Sequence, residues 1–231
     1  MISSVKKLGA TFLFALLSFA TSALAGPPLV CHIFDIGSTK SLPWISHEWN
    51  VTGSESYDID NLVRDTISIL DGDPTVLVHM ETLRRATLYA QKDPNTAKRL
   101  LLSLVARSNA AADTAGSAIA KFDVGYLAET LKQYSRITKT SGNPAQNFDG
   151  YALIREAIQL RGNDAQMEFA AALITLDGPA SEQIEHAEKA IAGAKSDPLL
   201  ARNLSAHFRG PQTELMAELI SRNSNVKVAR Q

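Results

Sequence analysis

Short apolar stripes at three- and four-residue spacing, separated by Asp-Pro, Gly-Pro and Gly-Asn-Asp turns, run from Tyr57 almost to the end of the chain. That spacing gathers side chains on one face of an α-helix, whereas a half-buried strand needs strict alternation. Ile59, Leu62, Val63, Ile67 and Leu70 predict a helix over about 58–70 that Asp71-Gly72 ends. Asp73-Pro74 then predicts a new start. An aspartate can accept from the exposed N–H groups of a first turn, and proline fits there because no internal donor is needed. In the helix that follows, Val76, Met80, Leu83, Thr87 and Ala90 share a face, and Arg84, Arg85 and Gln91 lie away from it. Asp93-Pro94 repeats the start signal before Ala97, Leu100, Leu101, Leu104 and Val105. The Ala/Asn/Ser-rich stretch 108–118 reads equally as an extension of that helix or as a link.

Phe122, Tyr126, Leu127, Leu131, Tyr134 and Ile137 form the next stripe, and 138–148, with Gly142, Asn143 and Pro144, reads as a loop. Tyr151, Ile154, Ala157 and Ile158 precede a break at Gly162-Asn163-Asp164; Phe169, Leu173 and Leu176 follow it. Gly178-Pro179, Asp197-Pro198 and Gly210-Pro211 open three further helices. The pattern predicts an all-α fold of antiparallel helical hairpins over 57–221, with a polar tail over 222–231 that frays. An irregular arm over 26–56 precedes it, broken by Pro27, Pro28, Pro43, Gly37 and Gly53.

Three turns are alike: ATLYAQKDP from Ala86, AIQLRGNDA from Ala157 and AIAGAKSDP from Ala190. Ala157 and Ala190 are 33 residues apart, and Ala86 and Ala157 are 71 apart, roughly two such units. A helix–turn–helix unit near 34 residues resembles the tetratricopeptide superfamily, whose units bury their faces only by stacking. Most of that superfamily's aromatic and glycine positions are unmatched, so an irregular bundle is the other reading.

The first residues carry an address. Lys6 and Lys7 precede an apolar run from Leu8 to Ala20, and Ala23-Leu24-Ala25 has the small-x-small form of a cleavage site. This is the anatomy of a secretory signal peptide over 1–25, with a core too short for a membrane span. A periplasmic or secreted product follows, and no later segment has the length of a spanning helix. The 23 basic residues of the whole chain, less the two leader lysines, face 24 acidic ones. That balance lacks the excess positive charge of a nucleic-acid-binding surface. With one cysteine the exported chain has no internal disulfide and rests on apolar burial.

The rare residues collect in the arm: Cys31, His32, Trp44, His47 and Trp49. The start GPPLVCHIFDIGSTKSLPW is similar to a group of uncharacterised secreted bacterial proteins, whose mature ends run GPPL-x-C-H, an acidic-Ile-Gly step, then K-S-L-P-W. VHMETLRRATLYA (78–90) and FDVGYLAETLKQ (122–133) resemble parts of the same group. The resemblance implies export and a helical architecture and implies no chemistry.

Two functions follow as expectations. One is an exported helical scaffold that binds a peptide or protein, with the arm as internal occupant or cap of a groove and Trp44 and Trp49 pinning it down. The alternative is a small metal or redox protein using Cys31 and His32, with His47 as a third ligand. Adjacent residues of an extended chain point to opposite faces, which weighs against joint chelation by Cys31 and His32. Metal-binding cysteine and histidine motifs, Gly-x-Ser-x-Gly, phosphate loops and dinucleotide fingerprints are all missing, so no cofactor and no catalytic residue is expected. His79 reads as an interfacial histidine, and His186 and His207 as structural or exposed. Asp149, Glu156, Asp164 and Glu168 read as a solvated or helix-capping acidic set, and Arg84-Arg85 as a surface pair.

Overall fold

The computed structural model describes residues 29–45, 53–72, 75–112 and 116–208. The leader, His47, Trp49, Asp73-Pro74, the Gly210-Pro211 start and the tail lie outside the described residues. Among those described the chain is all-α, with no strand. A 3-10 turn at Ile59–Asn61 leads into α1 (Leu62–Gly72). Then come α2 (Val76–Ala90), α3 (Pro94–Ala110), α4 (Ser117–Thr138), α5 (Gly150–Arg161), α6 (Ala165–Ile174), α7 (Ala180–Ala194) and α8 (Pro198–His207).

The helix starts are chemical. Asp93, Asp164 and Asp197 are the N-caps of α3, α6 and α8, and each carboxylate accepts from two backbone N–H groups of the first turn. The turns joining α2 to α3 and α7 to α8 share one local form, with right-handed C-caps at Gln91 and Lys195, whereas the turn joining α5 to α6 differs, with Gly162 and Asn163 at positive φ. The alanine that begins each of them, Ala86, Ala157 or Ala190, is fully buried. Two boundaries become definite. Helix α2 begins at Val76 with Thr75 as N-cap and no side-chain capping bond. The 108–118 stretch divides, part ending α3 at Ala110 and part opening α4 at Ser117.

A correction concerns α2. Its apolar stripe predicted one buried face, yet every residue except Arg85 is buried. The helix is enclosed by α1, α3, α4 and α6 and by the N-terminal arm, which contributes Leu29, Val30, Phe34 and Leu42 to the same apolar core. A helix covered all round must bury its polar side chains too, and each then needs a partner. His79 Nδ1 lies 2.6 Å from Asp123 Oδ1 in α4, with both side chains fully buried. Arg107 of α3 donates to the other Asp123 oxygen at 2.7 Å and to Asp71 of α1 at 2.7 Å. One carboxylate thus joins α2, α3 and α4, and Arg107 carries the link to α1.

Helices α4 and α5 form the most extensive pair. Their crossing is backbone on backbone: a Cβ at Gly125 would stand 2.6 Å from Gly150 O, and one at Gly150 would stand 2.5 Å from Gly125 O. Gly125→Ala should therefore destabilise the protein by about 1–3 kcal/mol through overpacking. In an open helix the same change would gain about 1 kcal/mol from helix propensity. Urea unfolding followed by circular dichroism separates the two signs, and a stabilised variant would show that the helices do not meet this closely.

Candidate functional site

The arm is held mainly through its backbone. Gln133 Oε1, from α4, accepts from the N–H groups of Leu29 at 3.0 Å and Val30 at 3.1 Å. Arg84 Nη1 donates to Val30 O at 3.0 Å, and Glu81 Oε2 accepts from Phe34 N at 3.0 Å. Asn203 of α8 does both jobs at one residue. Its Oδ1 accepts from Asp35 N at 2.9 Å, and its Nδ2 donates to Asp35 O at 2.8 Å. Farther along, Arg85 donates to Leu42 O and the Tyr89 hydroxyl donates to Pro43 O, each at 2.5 Å. Side chains of α2, α4 and α8 thus supply the partners that a neighbouring strand would supply in a sheet. Phe34 anchors the segment, 1% exposed, stacked on His207 with centroids 4.5 Å apart and edge-on to Phe169 and Tyr126.

The α2 surface beneath the arm is charged. Arg84 binds Glu81 through two nitrogens at 2.8 and 2.9 Å, and Arg85 Nε reaches the same carboxylate at 2.6 Å. Arg84 and Glu81 are fully buried, which corrects the reading of Arg84-Arg85 as a surface pair. One carboxylate between two guanidinium groups leaves an excess positive charge, and the Trp44 ring lies against it. The two guanidinium carbons stand 4.9 and 5.9 Å from its centroid, within cation–π range. Trp44 also packs edge-on against Tyr89 at 6.0 Å. The arm, the α2 segment with Glu81 and Arg84, and the α4 segment with Gln133 meet here.

At the Asp35 end, hydrogen bonds from Arg202 and from the Gly37 N–H hold the carboxyl below its ordinary value. A depressed carboxyl adds stability above its unfolded value, near ~3.9, and loses it as pH falls through the lowered folded value. Protection of the Asp35 amide should therefore fall on acidification below that range. An Asp35→Asn variant should lose this pH dependence; amide exchange measured against pH checks both, and an unaltered profile in the variant would assign the dependence elsewhere.

Cys31 is half-buried, and burial pushes its thiol up, with the Arg84 charge pulling the other way. The His32 ring lies 5.0 Å from that of His207. Among the described residues no three His, Cys, Asp or Glu side chains converge as a metal site would require. His47 and Trp49, the remaining predicted residues, lie outside the described residues.

A second cluster escaped the sequence reading. Glu168, on α6, is fully buried, which corrects its assignment to a solvated or capping set. Asp149 and Asp164 do cap α5 and α6, and Glu156 pairs with Lys121 near the surface at 2.6 Å. Glu168 Oε2 instead lies 2.5 Å from His186 Nδ1 of α7, and His186 Nε2 lies 2.7 Å from the Tyr151 hydroxyl of α5. His186 is buried, so it is structural in placement but not isolated. The cluster forms one wall of a cavity of about 350 Å³ between α5, α6 and α7. Burial and the neighbouring Glu182 carboxylate push the Tyr151 phenol up. One signal was present in the sequence: Glu168 is the only charged residue in α6, AQMEFAAALI, and the run that follows it is wholly apolar.

No protein family, curated protein or solved structure matches the chain.

Proposed function

We propose that this protein is an exported α-helical scaffold that binds extended polypeptide, and that its own N-terminal arm occupies the groove. The leader-like composition of residues 1–25 supports export. The observation that carries the binding reading is the side-chain grip on the arm's backbone. Gln133, Glu81, Arg84 and Asn203 engage main-chain groups of residues 29–35, which every peptide possesses, and Phe34 is the largest of several apolar anchors that include Leu29, Val30 and Leu42. Main-chain hydrogen bonds with pockets for selected side chains are how extended peptides are commonly recognised. The Cys31–His32 reading gains no comparable support, since metal binding and nucleophilic attack need the thiolate that burial disfavours.

Native-state amide exchange of the full chain tests the proposal, with and without an excess of a labelled peptide matching residues 29–45. The amides of Val30, Phe34 and Asp35 are expected to open before those at the centre of α4, and the labelled peptide to bind saturably in fluorescence anisotropy. Arm amides that exchange only with global unfolding, together with no peptide binding, would make the arm a fixed part of the core and overturn the proposal.

A further inference from the structure

The cavity between α5, α6 and α7 is rich in acceptors. Glu168, Glu182 and Glu185 line it against Arg155 and Lys189. His186 bridges two partners, with Nδ1 against Glu168 Oε2 and Nε2 against the Tyr151 hydroxyl, which also has a hydrogen-bond partner in Glu182. Glu168 Oε1 is different: it is buried and takes no hydrogen bond. A buried carboxylate oxygen left without a hydrogen-bond donor carries a desolvation cost that only a long ion pair offsets here. The Lys189 ammonium stands 3.6 Å from it, within ion-pair reach but too far for a hydrogen bond, and is already bound to Glu185 at 2.8 Å. The Lys189 side chain is 42% exposed, so it can leave at little cost in packing.

The order carboxylate–imidazole–hydroxyl invites comparison with a nucleophilic triad. The local field opposes that role. The phenol is pushed up, away from phenolate, by burial and by Glu182, and an anion formed at this hydroxyl would face the Glu182 and Glu185 carboxylates, against which only Arg155 acts. The same field favours a cation. The Tyr151 ring adds a face that already attracts one: the Arg155 guanidinium carbon lies 5.8 Å from its centroid.

We propose that this cavity binds a primary ammonium or guanidinium group, free or at the end of a polypeptide's lysine or arginine side chain, with Glu168 Oε1 as the principal acceptor and Lys189 as a built-in placeholder that the ligand displaces. His186 and Tyr151 hold the Glu168 carboxylate in orientation. The site is built from α5, α6 and α7 and does not depend on the groove that holds the arm.

Displacement fixes the signs of the test. Methylguanidinium and n-butylammonium are titrated into the full chain at constant ionic strength, read by calorimetry and by the His186 ring resonance, which is assigned by its absence in His186→Gln. Saturable binding is expected. Glu168→Gln, which keeps the shape and removes the charge, should weaken it at least tenfold. Lys189→Met should strengthen it several-fold, an effect that a purely structural cluster has no reason to produce. If Glu168→Gln does not fold, Glu182→Gln and Lys189→Met still decide, with weaker and tighter binding expected respectively. Tighter binding of acetyl-arginine-methylamide than of methylguanidinium would assign the site to a polypeptide side chain, and equal binding to a free cation; either supports the proposal. The absence of saturable binding, a response matched by sodium chloride, tighter binding of inorganic phosphate, or unchanged affinity in Lys189→Met would overturn it.

Discussion

Glu81→Ala is expected to lower the unfolding free energy by about 3–5 kcal/mol, the range for removing one partner of a buried ion pair. The carboxylate neutralises Arg84, whose side chain is fully buried, and also binds Arg85 and the Phe34 N–H. Its loss leaves a guanidinium charge and a backbone donor stranded in the core. Arg85 can turn toward water, because its side chain is 15% exposed; Arg84 cannot. A double variant, Glu81→Met with Arg84→Met, should recover most of the loss, since apolar replacement of a whole buried pair is often near neutral. Urea unfolding of the single and double variants gives the coupling. A single variant costing under about 1 kcal/mol, the scale of an exposed pair, would contradict full burial of the Arg84–Glu81 pair.

Phe34→Ala is expected to weaken docking of the arm by about 3–5 kcal/mol, as large aromatic truncations in a core do. The ring fills a pocket among His207, Phe169 and Tyr126, drawn from α8, α6 and α4. At a factor of ten for every 1.4 kcal/mol, that is a loss of about two to three and a half powers of ten in protection of the Val30 and Asp35 amides. Where the loss falls is informative. If the arm behaves as an occupant, α4 amides keep their protection until the arm has fully detached. If arm and α4 lose protection together, the arm is an inseparable part of the core.

Element by element, the helices were legible because their signals are local. Asp93, Asp164 and Asp197 cap helices through bonds to residues two or three positions away, so their role is written in adjacent residues. Apolar stripes behave likewise: Phe122, Tyr126, Leu127 and Leu131 all enter the core as their spacing predicts. The expectation that Trp44 packs the arm onto the helices agrees with its position over Arg84 and against Tyr89. Where one stripe misled, in α2, the reason is enclosure. A stripe predicts one buried face only when the other faces water, and the arm covers what would have been that solvent face.

The candidate sites were poorly legible for the same reason. Glu81, Arg84, Glu168 and His186 look like ordinary helix-surface residues in sequence, since charged residues three or four apart usually form solvated pairs. Each is buried by an element distant in the chain: the arm lies over Glu81 and Arg84, and α7 brings His186 to Glu168 across 18 residues. Cys31 and His32 lie in a segment whose backbone is bonded to side chains of α2, α4 and α8, partners that no local pattern in the arm announces.

By itself, then, the sequence determined the class of fold, the capped helix starts and the apolar spacing that brings the helices together. These are short-range matters of dihedral preference, capping and periodicity. Only the tertiary structure decided which charges lose their water. Burial depends on what else arrives, and a carboxylate or guanidinium at an unremarkable helical position becomes structural or reactive only when a remote segment seals it from solvent.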